Sequence, residues 1–271
     1  MSTHAARRTG SVFCGLLRQE LQTIAQYRWW LVAMQASVVV VPLISLLVWR
    51  GAMANGAEPP VTRDYLTTYL VLVSVVTMLT SSWTARFLAE SIRLGHLNAW
   101  LVRPCSTHLV AVTNNVSEKL AKLATLLPLI VVLAVPYHRD LELPAHPGRW
   151  LLFLWALALG ATMMFCFDVI VGSLAFWWDD VAAVDRFRQL AAAFLSGALI
   201  PLSVMPTAWG PFLQVQPFGY AVAFPIQTLL APDAATLWTG LAMQAAWVLL
   251  ALVAARFVWV RGLRRYSGAG A

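Results

Sequence analysis

Charge is what this sequence has least of. Only 11% of its 271 residues are Asp, Glu, Lys or Arg, where an ordinary soluble domain carries about 25%. That scarcity excludes a water-exposed globule. The charges present are unequal, 12 acidic against 19 basic, for a net charge of +7. The basic residues are scattered rather than gathered into a patch, which argues against nucleic-acid binding. Cysteine is scarce too. Cys14, Cys105 and Cys166 show neither metal-ligand nor redox spacing, so a zinc site or a disulfide framework has no support. The motifs GxxxxGK[ST], GxSxG, HExxH and GxGxxG are all missing, so the chain carries no nucleotide-driven engine of its own. A cleavable signal peptide is not expected, because Arg18, Glu20 and Arg28 interrupt the first apolar run.

Apolar residues are abundant. They make up 60% of the chain, the mean hydropathy is +0.70, and 13 tryptophans fence most of the apolar runs. A bilayer core needs about 20 apolar residues per helix, and Trp prefers the headgroup level at each end. The pattern predicts an all-α membrane protein, a single transmembrane domain over 1–271. Six spans are expected, at Trp30–Trp49, Tyr65–Trp83, Leu120–Val135, Trp150–Trp177, Leu190–Val204 and Trp238–Trp259. With both termini in the cytoplasm, only Arg50, Arg63, Arg139 and Arg149 of the 19 basic residues fall outside. That asymmetry sets the topology.

Three segments lie outside the spans. Residues 11–27 have helical periodicity, with Phe13, Leu17, Leu21 and Ile24 on one face and Arg18, Gln19, Gln22 and Gln26 on the other. This predicts an amphipathic helix at the inner interface. Glu20 projects from its apolar side, either as a solvated carboxylate or as the partner of an Arg at an inner span end. In the longest cytoplasmic stretch, Leu94, Leu97 and Leu101 form a stripe on a helix from about Ala89 to Val102, ended by Pro104. Such a helix lies on lipid or docks into a partner's groove. Residues 206–236 are apolar but broken by Pro206, Pro211, Pro217, Pro225 and Pro232. They are too short for two crossings, and a single crossing would place the Arg-rich C-terminus outside. Two outer re-entrant helices are expected between spans five and six, buried against protein or facing water.

Few residues carry chemistry. His138, Asp140, Glu142 and His146 crowd the second outer connection, but their spacing matches no standard metal site and a solvated loop is the plainer reading. Asp168 is the only acidic residue well inside a span, on a face shared with Ala161, Met164, Gly172 and Ala175. It is either a structural partner of Arg86, Lys122 or Arg188, a carboxyl wetted by an inner vestibule, or a substrate contact. Pro201 is expected to kink the fifth span by crowding the carbonyl of Gly197, for packing or for gating. Ala193 and Gly197, four apart, permit a close helix crossing within the chain or with a second subunit.

Ile92, Gly95, Leu97, Leu101, Arg103 and Pro104 match the pattern I-x-x-G-x-L-x-x-x-L-x-R-P. Phe176-Trp177 ends the fourth span. Leu195-Ser196-Gly197 with Ile200-Pro201-Leu202 reads L-S-G-x-x-I-P-L, and Pro217-Phe218 with Tyr220 and Pro225 reads P-F-x-Y-x-x-x-x-P. In this order and spacing the chain resembles membrane subunits of bacterial ABC transporters of the type-2 exporter class, nearest the small six-span drug or viologen exporters. The resemblance implies a dimer of permeases, identical or paired with a homologue, in the bacterial inner membrane. It also implies separate cytosolic ATPase subunits, which would bind the ATP and Mg while this chain binds no cofactor. Residues 89–104 would be the coupling helix, with Ile92, Gly95, Leu97, Leu101, Arg103 and Pro104 at the ATPase contact.

The expected function is therefore the permease subunit of an ATP-driven exporter of hydrophobic or amphiphilic substrates, not an enzyme in its own right. The alternatives are a secondary transporter or channel using Asp168 as an ion site, or an intramembrane enzyme, for which no His, Ser or carboxylate constellation is visible.

Overall fold

The computed structural model describes residues 2–26, 28–56, 60–101, 107–230 and 234–266. The order is α1 (Ser2–Gln26), α2 (Arg28–Ala54), α3 (Arg63–Thr80), α4 (Thr84–Arg93), α5 (Leu97–Leu101), α6 (Thr107–Ala134), a 3-10 turn (Val135–Asp140), α7 (Pro147–Ser173), α8 (Ala182–Leu195), α9 (Gly210–Val215), α10 (Pro217–Ala221), α11 (Ala223–Leu230) and α12 (Ala234–Leu263). No strand occurs among these residues. Three stretches there are long and apolar enough to cross a membrane: Arg63–Arg93, Pro147–Phe176 and Thr236–Leu263.

The centre of the molecule is α7, which packs against α12, α4, α11 and α3. Its core includes Tyr69, Leu70, Val73, Val76, Met163, Cys166, Ile226 and Val248. Small residues permit these close approaches. A side chain at Gly160 would reach 2.7 Å from the Ala221 carbonyl, and one at Gly240 would meet the Phe224 ring at 2.1 Å. Hydroxyls along α3 bond back to their own helix, from Thr67, Thr68, Ser74 and Thr80 to the carbonyls four residues earlier. Thr67, Thr68, Ser74 and Thr80 are thus buried without orphaned donors.

The N-terminal helix extends further than the sequence suggests, from Ser2 rather than residue 11. Its apolar face turns inward onto α6: Phe13, Leu17, Leu21 and Ile24 are half-buried while Arg18, Gln19, Gln22 and Gln26 are exposed. Glu20 is half-buried, and none of the ion pairs among the described residues joins it to an Arg. Its Oε2 accepts from Asn114 Nδ2 of α6 at 3.3 Å.

The fifth expected span differs most. No helix runs through Leu190–Val204; α8 begins at Ala182 and stops at Leu195. Its 14 residues reach about 21 Å at the helical rise, short of a hydrocarbon core of about 30 Å. Pro201 therefore kinks nothing. It lies beyond the helix end with φ −52° and ψ 132°, before a 3-10 turn over Leu202–Val204. The chain has already turned at Gly197, whose φ is +85°, a left-handed conformation that glycine adopts without steric cost.

Between Pro206 and Leu230 the chain forms only short helices, the longest being α11 with 8 residues, about 12 Å long. None of them is long enough to cross. Ala223, Phe224, Ile226, Thr228 and Leu229 are buried, and α11 packs on α7 and α3. Asp233 lies outside the described residues. Such broken backbone needs partners inside the protein, and amide side chains supply them. Gln216 Nε2 donates to the Leu195 carbonyl at 2.7 Å, and its Oε1 accepts from Gly219 N–H at 3.1 Å. Gln244, fully buried on α12, donates to the carbonyls of Ala156 and Tyr220, both at 2.8 Å. Trp247 Nε1 donates to Val215 O at 2.8 Å.

Candidate functional site

The polar interior gathers where α3 ends. Ser81-Ser82-Trp83 interrupt the helix, and Ser81 is extended at φ −61°, ψ 149°. The chain restarts as α4, whose first N–H groups have no intrahelical acceptor. Two carboxylates from other helices take them. Glu118 Oε2 of α6 accepts from Trp83 N–H at 3.2 Å, and Asp168 Oδ2 of α7 accepts from Ala85 N–H at 3.3 Å. Negative charge there also complements the positive end of the helix dipole.

Both carboxylates are countercharged. Arg188 Nη2 of α8 lies 2.7 Å from Asp168 Oδ1 and 2.8 Å from Asp185 Oδ1. The Ser82 hydroxyl donates to Thr84 Oγ1 at 2.9 Å. Lys122 forms an ion pair with Glu118 one turn earlier on α6 and donates to Ser81 Oγ at 2.8 Å and Ser81 O at 3.1 Å. It also lies over the Trp83 ring, 4.8 Å from the centroid, a favourable place for a cation. Asn115 donates to Ser82 Oγ at 2.9 Å. Asp168, Glu118 and Lys122 are each about 1–2% exposed. Charges so buried persist only when paired and hydrogen-bonded, and Asp168 therefore faces protein, not lipid.

The segment beyond this joint is folded back onto the bundle. The expected single helix over 89–102 is two, α4 and α5, separated by a turn at Leu94–His96 in which Gly95 has φ +74°. Leu88, Ile92 and Leu97 join Trp259 of α12 in a small core, against which Phe176, Val260, Leu263 and Tyr266 pack. Leu97 is fully buried and Ile92 is 3% exposed. The stripe read from Leu94, Leu97 and Leu101 is thus split: Leu97 faces inward while Leu94 is 50% exposed. Gly172 lets α4 approach α7, since a side chain there would lie 2.8 Å from the Ala85 carbonyl. Phe176 lies over Gly262 in the same way, 2.1 Å from where a side chain would begin, and meets Trp259 edge-on at 5.6 Å. The Leu101 side chain, Arg103 and Pro104 lie outside the described residues, as does Cys105.

At the other end, Gly197 closes a separate contact. Its carbonyl accepts from Tyr69 Oη at 3.1 Å, and a side chain there would lie 2.5 Å from that oxygen. Gly197 is thus not on a helix face beside Ala193. In the connection between α6 and α7, Asp140 is held by Arg50 at 2.6 Å. The Arg50 hydrogen bond keeps its carboxyl below the usual carboxylate range. Among the described residues no group of His, Cys, Asp and Glu is arranged to hold a metal.

Asp168 and Arg188 are the sequence-level candidates that the structure brings together; Arg86 and Lys122 do not pair with Asp168. Sequence reasoning missed Glu118. The available signal was its position four residues before Lys122, the spacing of a helical ion pair. It was hidden because Glu118 sits just ahead of the apolar run and reads as solvated.

A family model described as ABC-2 family transporter protein matches residues 63–270, from the first residue of α3 to beyond the end of α12. The first two helices precede the match. A search of curated proteins returns no match to this sequence.

Proposed function

Because this chain belongs to the ABC-2 transporter family, and is thereby an integral membrane permease of an ABC transporter, we propose that it is the permease of an ATP-driven exporter, moving hydrophobic or amphiphilic substrates with separate cytosolic ATPase subunits. The working unit is a pair of permeases, identical or paired with a homologue, in the bacterial inner membrane. Each has cytoplasmic termini and an outer re-entrant segment over 206–236, and of six crossings the fifth is made by α8 together with the non-helical chain that follows it. The ATPase docks on the outward face of α4 and α5. As the ATPase pair closes on ATP, that face moves and the spans follow as rigid bodies.

The observation that carries this reading is the two-sidedness of α4 and α5. Leu88, Ile92 and Leu97 anchor the segment to the bundle. On the other side Arg86, Glu90, Arg93, Leu94, His96 and Asn98 stay exposed. A segment that is both firmly held and openly presented suits force transmission. The carrier alternative needs a free carboxylate for its ion, and both Asp168 oxygens are engaged.

Leu94→Asp tests the docking face. Leu94 contributes little to the core, so the fold should change by no more than about 0.5 kcal/mol, as for other surface substitutions. ATPase recovered with the tagged permease should fall about tenfold or more, the loss expected from truncating an interface anchor. Full recovery of ATPase with this variant would refute docking through this face.

A further inference from the structure

We infer that Asp168 is the positioning residue that makes α4, α7 and α8 move as one body, so that displacement of the coupling segment reaches the spans. The inference rests on reading 84–101 as that segment, and it concerns a residue outside it. One carboxylate joins three elements: its own helix α7, the Ala85 N–H of α4 at 3.3 Å, and the Arg188 guanidinium of α8 at 2.7 Å. Glu118 repeats the device from α6 by accepting from Trp83 N–H at 3.2 Å.

The geometry matters because the chain is weak at this point. Ser81–Trp83 carries no helix, and a break between two helices is where a push on α4 would be absorbed as bending. With α4's first donors tied to α6 and α7, bending must first break charge-assisted hydrogen bonds in a dry interior, where they are strong. Gly172 brings the α4 backbone against α7 at the same level, so the link is short as well as strong. A residue serving only to stabilise α7 would need an ionic partner but no bond to the segment that receives the push.

The test uses the purified permease–ATPase complex. In a background with the native cysteines replaced, spin labels are placed at the exposed positions Phe87 of α4, outside the docking face, and Ala183 of α8. A third label, at exposed Gln214, reports water access in the outer segment. In the wild-type background ATP should leave the Phe87–Ala183 distance unchanged while altering access at Gln214. In Asp168→Asn, ATPase recovery and basal hydrolysis should persist, the distance should change on ATP, and the population responding at Gln214 should fall about tenfold, a usual size for coupling between sites. A purely structural Asp168 would lower Tm yet leave distance and outer response as in wild type, which overturns the inference. A wild-type distance that itself changes on ATP overturns it without any variant. Failure of the wild-type chain to bind ATPase would instead refute the coupling reading.

Discussion

Single residues here are fixed by what their neighbours leave them. Asp168 would cost about 3 kcal/mol facing lipid at the centre of a helix; Arg188 and Ala85 N–H offset that cost by pairing it. Gly197 is fixed by backbone and space together, with φ +85° and the Tyr69 hydroxyl where a side chain would start. Gly197→Ala should therefore lower stability by about 1–3 kcal/mol, the usual cost of a non-glycine residue in such a conformation. Adding Tyr69→Phe relieves the clash but not the dihedral strain, and it removes the hydrogen bond to the Gly197 carbonyl, so the double variant should also melt below wild type in detergent. No difference between Gly197→Ala and wild type would refute this placement. The sequence made Asp168 conspicuous and named Arg188 among three partners. It left the choice open because composition does not say which helix ends meet.

At the scale of elements, helices that run without a break were readable and broken ones were not. The expected limits of the fourth and sixth spans fall within a few residues of α7 with its terminal turn and of α12. Their apolar runs are long, and no proline interrupts either. The fifth failed because Ser196–Pro201 reads as apolar helix while Gly197, free to take positive φ, ends it. The single helix expected over 89–102 failed likewise at Gly95, and periodicity alone put Leu97 on the same exposed stripe as Leu94. Burial separates them. Leu97→Asp places an unpaired carboxylate among Leu88, Ile92 and Trp259, and should cost about 3 kcal/mol or more of stability. Leu94→Asp should leave the melting temperature nearly unchanged. Equal melting temperatures for the two variants would contradict this division of faces.

The whole molecule is a permease with one end polar and jointed, around Ser81–Trp83, and the other stitched by amide side chains. Its orientation rests on the asymmetry of Lys and Arg, and a cysteine at exposed Gln214 checks it. An impermeant thiol reagent added outside intact cells should label that position in a variant lacking the native cysteines; labelling only from the cytoplasmic side would reverse the topology. The central claim is that this chain moves substrate with an engine it does not contain. The most direct test is to isolate the tagged chain from its native membrane in mild detergent and identify what comes with it. A stoichiometric partner carrying a GxxxxGK[ST] nucleotide loop, whose ATP hydrolysis is altered by the permease, is the expected result. A folded chain that comes alone, and whose transport in vesicles runs on an ion gradient without ATP, would contradict it.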